Sequence, residues 1–356
     1  MERTIRYSFQ PGPSQLYPRV AYWTEVALRE GLLSRYHRDP VWKALFAQAQ
    51  RAVGQYLGLP EGWTVAFVSS ATEAWQILAD ATAHLSSIHI TQGEFGRRWY
   101  ALQRAVSPSA VEVALNMEEP WAEEIAKLGI LYSQVEHVAA VHVETSIGGW
   151  LPQIALLRKA FPAAIIAVDA TSSLGGITLP WEAIDVAFAS VQKCLGLPPG
   201  MALLLVSPNL AERYRPLPRQ RYHSLGFLIE KAQTHEPTHT PALLHIFLLG
   251  HLLPELPPLV ETERLLYQRA WWLYEEMQRL GFRLLLPEPY RSPTVLNLYW
   301  DNPSGIAALH HHTEKHGLYL GWGYGAHRDT TFRVANFPAI PDMAYHELIS
   351  ILREVV

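Results

Sequence analysis

Short apolar runs alternate with amphipathic stretches over residues 20–250, and this alternation sets the expectation for the fold. Residues 65–68, 163–168, 186–189 and 201–206 are apolar throughout, as strands buried on both faces are. Each closes on a polar or glycine-containing turn. Between them, 39–57 and 72–85 place apolar residues at three- and four-residue spacing, the period of a helix with one buried face. Strands alternating with helices predict an α/β domain on a largely parallel sheet.

The proline-rich stretch 253–258 reads as a boundary. Beyond it, a long helix over 260–280 should stop at Gly281, the expected residue just past a helix end, with Leu265, Leu266, Leu273, Met277 and Leu280 as its buried stripe. Strand-like pieces at 283–286, 294–300 and near 331–334, with helices over 305–316 and from 341, predict a smaller α+β domain. The expected division is a large domain over 18–255 and a small one built from 1–17 and 256–356.

Composition narrows the function more than the fold. With 49% hydrophobic and 17% charged residues the chain has ample apolar surface to bury. A net charge of −4 offers no basic field for a phosphate backbone, so nucleic acid is not an expected partner. One cysteine, Cys194, excludes an internal disulfide and a multi-cysteine metal site, and fits a reducing, cytoplasmic setting. The residues after Met1 carry no apolar run of the signal-peptide kind, and the most apolar stretch, 243–253, is broken by His245, Gly250 and His251. It falls short of the ~20 residues that span a bilayer, so no membrane association is expected.

In open parallel sheets, ligands bind beyond the carboxyl ends of the strands. Three predicted strands deliver polar groups there: one ending at Val68 runs into Ser69-Ser70-Ala71-Thr72, one ending at Val168 into Asp169-Ala170-Thr171-Ser172-Ser173, and one ending near Ser190 into Val191-Gln192-Lys193-Cys194. A lysine after a strand is by itself an ordinary surface residue. A strand-end aspartate two dozen residues earlier changes the reading. An amine nucleophile and a buried carboxylate opposite a ring nitrogen are what pyridoxal phosphate (PLP) requires of its protein. The Ser69–Thr72 turn, leading into a helix, offers N–H groups and a positive dipole end to an anion. Simple N-capping by Thr72 is the plain alternative. Thr171 and Gln192 flank the same edge.

These stretches resemble class V, fold-type I aminotransferases, and among them the phosphoserine branch. The resemblance extends to Phe9-Gln10-Pro11-Gly12-Pro13, Tyr36-His37-Arg38, Glu144-Thr145 and His239-Thr240-Pro241, so it runs from Phe9 to about Pro338. It implies the fold-type I architecture, a mainly parallel seven-stranded sheet in the large domain, and PLP as cofactor. Lys193 would carry the Schiff base and move the proton, and Asp169 would pair with the pyridinium. Phe95 would stack on the ring where the family often has Trp, and Thr145 would bond its phenolic side. Ala71, Thr72, Thr171 and Gln192 would hold the phosphate. His239 and Thr240 would reach it from a neighbouring subunit, which implies a homodimer with shared sites.

The resemblance further implies His37-Arg38 and His327-Arg328 as readers of a substrate phosphate, and Arg333 as the receptor for an α-carboxylate. Arg suits both tasks because its planar fork matches each anion with two hydrogen bonds. The implied partners are small amino and keto acids, and the implied reaction converts 3-phosphooxypyruvate and glutamate to phosphoserine and 2-oxoglutarate, a step of serine biosynthesis. A serine/alanine–glyoxylate transaminase and a catalytically silent binding protein with the same fold are the alternatives. The chain departs from the pattern at Val143, where the family has Asn, and at His239. The histidines at 310, 311, 312 and 316 are read as a solvated helix face with no metal site, and Cys194 as a small packing residue.

Overall fold

A computed structural model describes residues 4–214, 223–302 and 305–356. The strands, in chain order, begin with β1 (Tyr7–Phe9), β2 (Thr64–Val68), β3 (Ser87–Thr91), β4 (Val111–Ala114) and β5 (His137–Val141). A short hairpin of β6 (Val143–Glu144) and β7 (Gly149–Trp150) follows, then β8 (Ile165–Asp169), β9 (Val186–Ser190) and β10 (Ala202–Val206). The last four are β11 (Arg283–Leu284), β12 (Val295–Tyr299), β13 (Leu318–Trp322) and β14 (Thr331–Ala335). Seven form one sheet in the order β2-β10-β9-β8-β5-β3-β4, and five form another in the order β1-β13-β14-β12-β11.

The larger sheet is parallel except for β10, which pairs antiparallel with both neighbours. Two reversals restore direction, so β2 runs the same way as β8 and β9. Their carboxyl ends therefore meet at one edge of the sheet. Hydrophobic alternation carries no strand direction, so this reversal was not legible in the pattern. Apolar clusters cover both faces of the sheet, one including Phe46, Trp121 and Leu203, the other Trp75, Trp99 and Phe188. A third fills the space between the smaller sheet and helices Leu259–Arg279 and Asp342–Leu352.

Local chemistry explains the helix ends. Asp39 accepts a hydrogen bond from the Trp42 N–H at 2.9 Å, with Pro40 at the first helical position and Gly58 past the end at φ 64°, so the helix spans Pro40–Leu57. The next helix, Ala71–Ala81, is capped by Ser70, which accepts from the Glu73 N–H at 3.0 Å. The cap is thus not Thr72, which lies in the first turn and remains available to the cavity. The long helix spans Leu259–Arg279 and gives way to Gly281 at φ 86°. Leu266, Leu273 and Met277 are buried as expected, but Leu265 is 40% exposed. The apolar arc is narrower than the stripe suggested. Among the described residues no single helix is long and apolar enough to cross a membrane.

β3 and β5 were not picked out in the pattern because each carries a histidine inward. The His89 and His137 rings lie 5.9 Å apart beneath helix Glu94–Val106, and their side-chain nitrogens have no hydrogen-bond partner among the described residues. Burial holds both groups neutral: it pushes His137 down to about 4, and lowers His89 with a contribution from His137. The unfolded chain takes up these protons near pH 6.5, whereas the folded chain resists until far lower pH. Stability should therefore fall as pH drops from about 6.5 towards 4, with His137 alone contributing roughly 3 kcal/mol. Urea midpoints measured across that range should show the slope, and His137→Leu should flatten it; an unchanged slope in the variant would refute this origin.

Candidate active site

The carboxyl ends of β2, β8 and β9 converge on a cavity of about 790 Å³, closed from the other side by the Gly321–Gly325 segment, Arg328 and Arg333. Lys193, three residues past β9, lies buried in its floor. The Nζ donates to Thr145 Oγ1 at 2.9 Å and to Ser172 Oγ at 3.0 Å. Burial lowers the Lys193 ammonium to about 8; Asp169 draws it back up and Arg333 presses it further down. The neutral amine is the nucleophile, so this environment raises its share near neutral pH.

Asp169 closes β8 and is buried. Its Oδ1 accepts from the Thr171 N–H at 2.8 Å, and its Oδ2 accepts from the Trp75 indole N–H at 2.9 Å. Burial raises the carboxyl, while hydrogen bonds from Thr171 and Trp75 and the Lys193 charge favour the ionised form. The carboxylate is thus held in one orientation, facing the cavity. Ala71 and Thr72 bring the N-terminus of their helix to the same wall, where the Ala71 N–H donates to Ser190 Oγ at 3.0 Å.

Phe95 is positioned by a buried carboxylate. Glu144 Oε2 accepts from the Gly96 N–H at 3.0 Å and Oε1 from the Phe95 N–H at 3.4 Å, so Glu144 caps the helix that carries the ring. Ser146 Oγ accepts from the Glu94 N–H and donates to Glu144. No side chain fits at Gly93, where a Cβ would lie 2.6 Å from Ser146 Oγ. The ring lies 5.4 Å from Lys193 Nζ, stacks with Tyr324 at 5.2 Å and has the Arg98 guanidinium over it at 5.8 Å.

The N-terminal segment completes the floor. The Ser14 N–H donates to Gln192 O and the Tyr17 N–H to Gly196 O, which lays residues 10–17 along the lysine turn. Gly12 has φ 142°, and a Cβ there would sit 2.8 Å from Lys193 Cε. Only glycine allows the backbone this close.

The profile of the family Aminotransferase class-V matches residues 6–243. The chain belongs to the class-V aminotransferases. Among relatives of this class-V aminotransferase, phosphoserine aminotransferase of a Nocardioides species is 25% identical over 252 residues, 69% of this chain and 66% of that protein. The chain thus spans just under two thirds of that relative's length. The 2-aminoethylphosphonate–pyruvate transaminase of Bacillus cytotoxicus is 25% identical over 279 residues, 75% of each chain. Among solved structures, a phosphoserine aminotransferase from Cytophaga hutchinsonii superposes with a TM-score of 0.90 at 28% identity over 99% of both chains. An alanine–glyoxylate aminotransferase from Nostoc shares the fold, with a TM-score of 0.83 at 21% identity over 100% of this chain and 96% of its own. The architecture is that of fold-type I, PLP-dependent transferases.

Of the residues expected at the site, the cavity of this class-V aminotransferase gathers Ala71, Thr72, Phe95, Thr145, Asp169, Thr171, Gln192, Lys193, Arg328 and Arg333. His37, Arg38, His239, Thr240 and His327 do not line it. His37 is instead grouped with Arg38 and His239: burial lowers it, and Arg38 and His239 press it further down. Arg333 is buried, with Nε donating to Trp322 O and Nη1 to Thr145 O; burial lowers it to about 10. PLP, implied by the family, is tested by the side chains present. Gln192 Oε1 is buried at the cavity wall without a hydrogen-bond partner among the described residues, an amide a phosphate would satisfy after a flip. Asp169 and the helix N-terminus offer the complementary ends, so the residues fit.

Trp75 and Ser172 were missed. Trp75 follows Ala71 by four positions on one helix face, a spacing that would have aimed it at the same edge. Ser172 sits in the quoted serine-rich turn, and no pattern in the chain told which of its hydroxyls meets the lysine.

Three outcomes follow from this geometry. Capture of pyridoxal phosphate by the apoprotein at Lys193, trapped by borohydride and located by peptide mapping, should rise with pH around a midpoint near 8. Asp169→Asn should move that midpoint down, because the lost negative charge no longer favours the ammonium; an upward shift would contradict the arrangement. Gly12→Ala should cut capture more than tenfold at an unchanged midpoint, read in the same assay against a folding control by circular dichroism.

Proposed function

We propose that this chain is a PLP-dependent transaminase that passes an amino group from glutamate to 3-phosphooxypyruvate, giving phosphoserine and 2-oxoglutarate. The observation that carries the reading is the joint placement of Lys193 and Asp169 in one cavity, beside a helix N-terminus. PLP, when bound, supplies an aldehyde for amines and a protonated ring that accepts electron density. Lys193 serves as the amine that holds and releases it, and as the base that takes the substrate α-proton and returns it. Thr145 and Ser172 aim that amine. Asp169 keeps a proton on the ring nitrogen, and Trp75 and Thr171 keep Asp169 in place. Phe95 would cover one face of the ring. Ala71, Thr72, Thr171 and Gln192 take the cofactor phosphate, and Arg333 takes the substrate α-carboxylate.

A phosphorylated substrate is favoured by charge. Asp169 is the only carboxylate lining the cavity among the described residues, and it belongs to the cofactor ring, whereas Arg328 and Arg333 remain for anions. His327 would assist from beside Arg328. His37 and Arg38, grouped with His239 away from this chain's own cavity, would serve the cavity of a partner subunit, as would His239 and Thr240. The reading therefore includes a homodimer with shared sites, the two-domain division at 18–255, and a cytoplasmic setting that suits a free, buried Cys194. The second reading, transamination of unphosphorylated serine or alanine with glyoxylate, is favoured by the absence of His37, Arg38 and His327 from the cavity lining.

Lys193→Ala should abolish turnover, and retained activity would remove the lysine from its role. The PLP-loaded enzyme should lose its visible absorbance at low concentrations of phosphoserine and glutamate, with serine and alanine more than tenfold weaker. Equal response to serine or alanine would move the function to the second reading.

A further inference from the structure

The four histidines of helix Gly305–Lys315 and its following turn do not share one fate. His310 is buried, its ring stacked on Trp322 at 3.7 Å and 3°. His312 and His316 lie on the outer face at i,i+4 spacing, with ring centroids 5.1 Å apart. The structure adds a residue that no local pattern could supply. Glu354, in the turn after helix Asp342–Leu352, brings Oε2 to 3.2 Å from His312 Nε2. One ligand atom from each of His312, His316 and Glu354 lies within 4.8 Å of the other two.

We propose that His312, His316 and Glu354 bind one borderline divalent first-row cation, with Zn²⁺ the representative ion. Zinc takes imidazole nitrogen and carboxylate oxygen at about 2.0–2.2 Å, which sets ligand–ligand edges near 3.4 Å in a tetrahedron. The His312–Glu354 edge, 3.2 Å, is already close to that length. The remaining edges close by rotation of side chains, of which Glu354 and His316 are exposed. Two imidazoles and one carboxylate select against Mg²⁺ and Ca²⁺, which prefer all-oxygen sites. Three protein ligands leave the fourth position to water. The neighbouring cation Arg6 is held by Glu347 at 2.7 Å, and Arg353 donates to Glu276, so neither is spare to compete for Glu354. The ion would clamp the end of one small-domain helix to the turn that follows another, independently of the transaminase reading.

The test is calorimetric titration of the chelator-treated, PLP-loaded full chain with ZnCl₂, alongside His312→Ala, His316→Ala and Glu354→Gln. The expected result is one Zn²⁺ per chain, with affinity lowered at least tenfold in each variant. Zn²⁺ should also raise the Tm of the unaltered chain and leave that of His312→Ala/His316→Ala unmoved. Equal Zn²⁺ binding in the double variant would overturn the site, as would undiminished binding in Glu354→Gln. Mg²⁺ binding as tight as Zn²⁺ would reduce it to a diffuse charge effect and overturn it equally.

Discussion

An amine inside a protein is the constraint on which this structure turns. Lys193 is drawn out of water at the end of a strand, where desolvation disfavours its charge, and a nearby carboxylate prevents the loss of charge from going too far. Neither group would be tolerated alone. A lone buried carboxylate would protonate and a lone buried lysine would stay neutral; together, each holds the other near its working state. Thr145 and Ser172 hold the amine, and Thr171 and Trp75 hold the carboxylate. The burial of β8 and β9 on both faces delivers both groups to one edge without a long loop.

A second layer fixes what surrounds that pair. Glu144 spends its buried carboxylate on the N-terminus of the helix that bears Phe95, and the adjacent residue, Thr145, meets the lysine. A displacement of Glu144 and Thr145 would move ring and amine together. Arg333 reaches across from the smaller sheet to the Thr145 carbonyl. The cavity is therefore shared between the two sheets, with the chemistry on one and the cationic wall on the other.

How much of this was legible depends on the kind of information required. Strand ends carrying Asp169 and Lys193 were legible because apolar runs stop where polar groups begin. β3 and β5 were not, since buried His89 and His137 break the apolar signal while remaining inside. The antiparallel β10 was hidden because an apolar run reads identically in either direction. Trp75 could have been located by helix spacing from Ala71. His37, Arg38 and Thr240 fell within a family pattern, yet pattern gives no spatial address, and the chain places them outside its own cavity. The pairing of His312 with Glu354 joins residues 42 positions apart through helix packing, beyond any local motif.

The pairing of β1 with β13 has a consequence for how the molecule is made. Tyr7 sits beside Leu318, so among the described residues β1 has no strand partner until β13 has been made. Residues 10–17 follow that strand directly and form the floor under Lys193. The seven strands of the larger sheet are complete in sequence by Val206, although helices beyond that point still supply part of the apolar cover on both its faces. The segment under Lys193 is thus anchored to the smaller sheet, and the pocket is whole only when both sheets are in place.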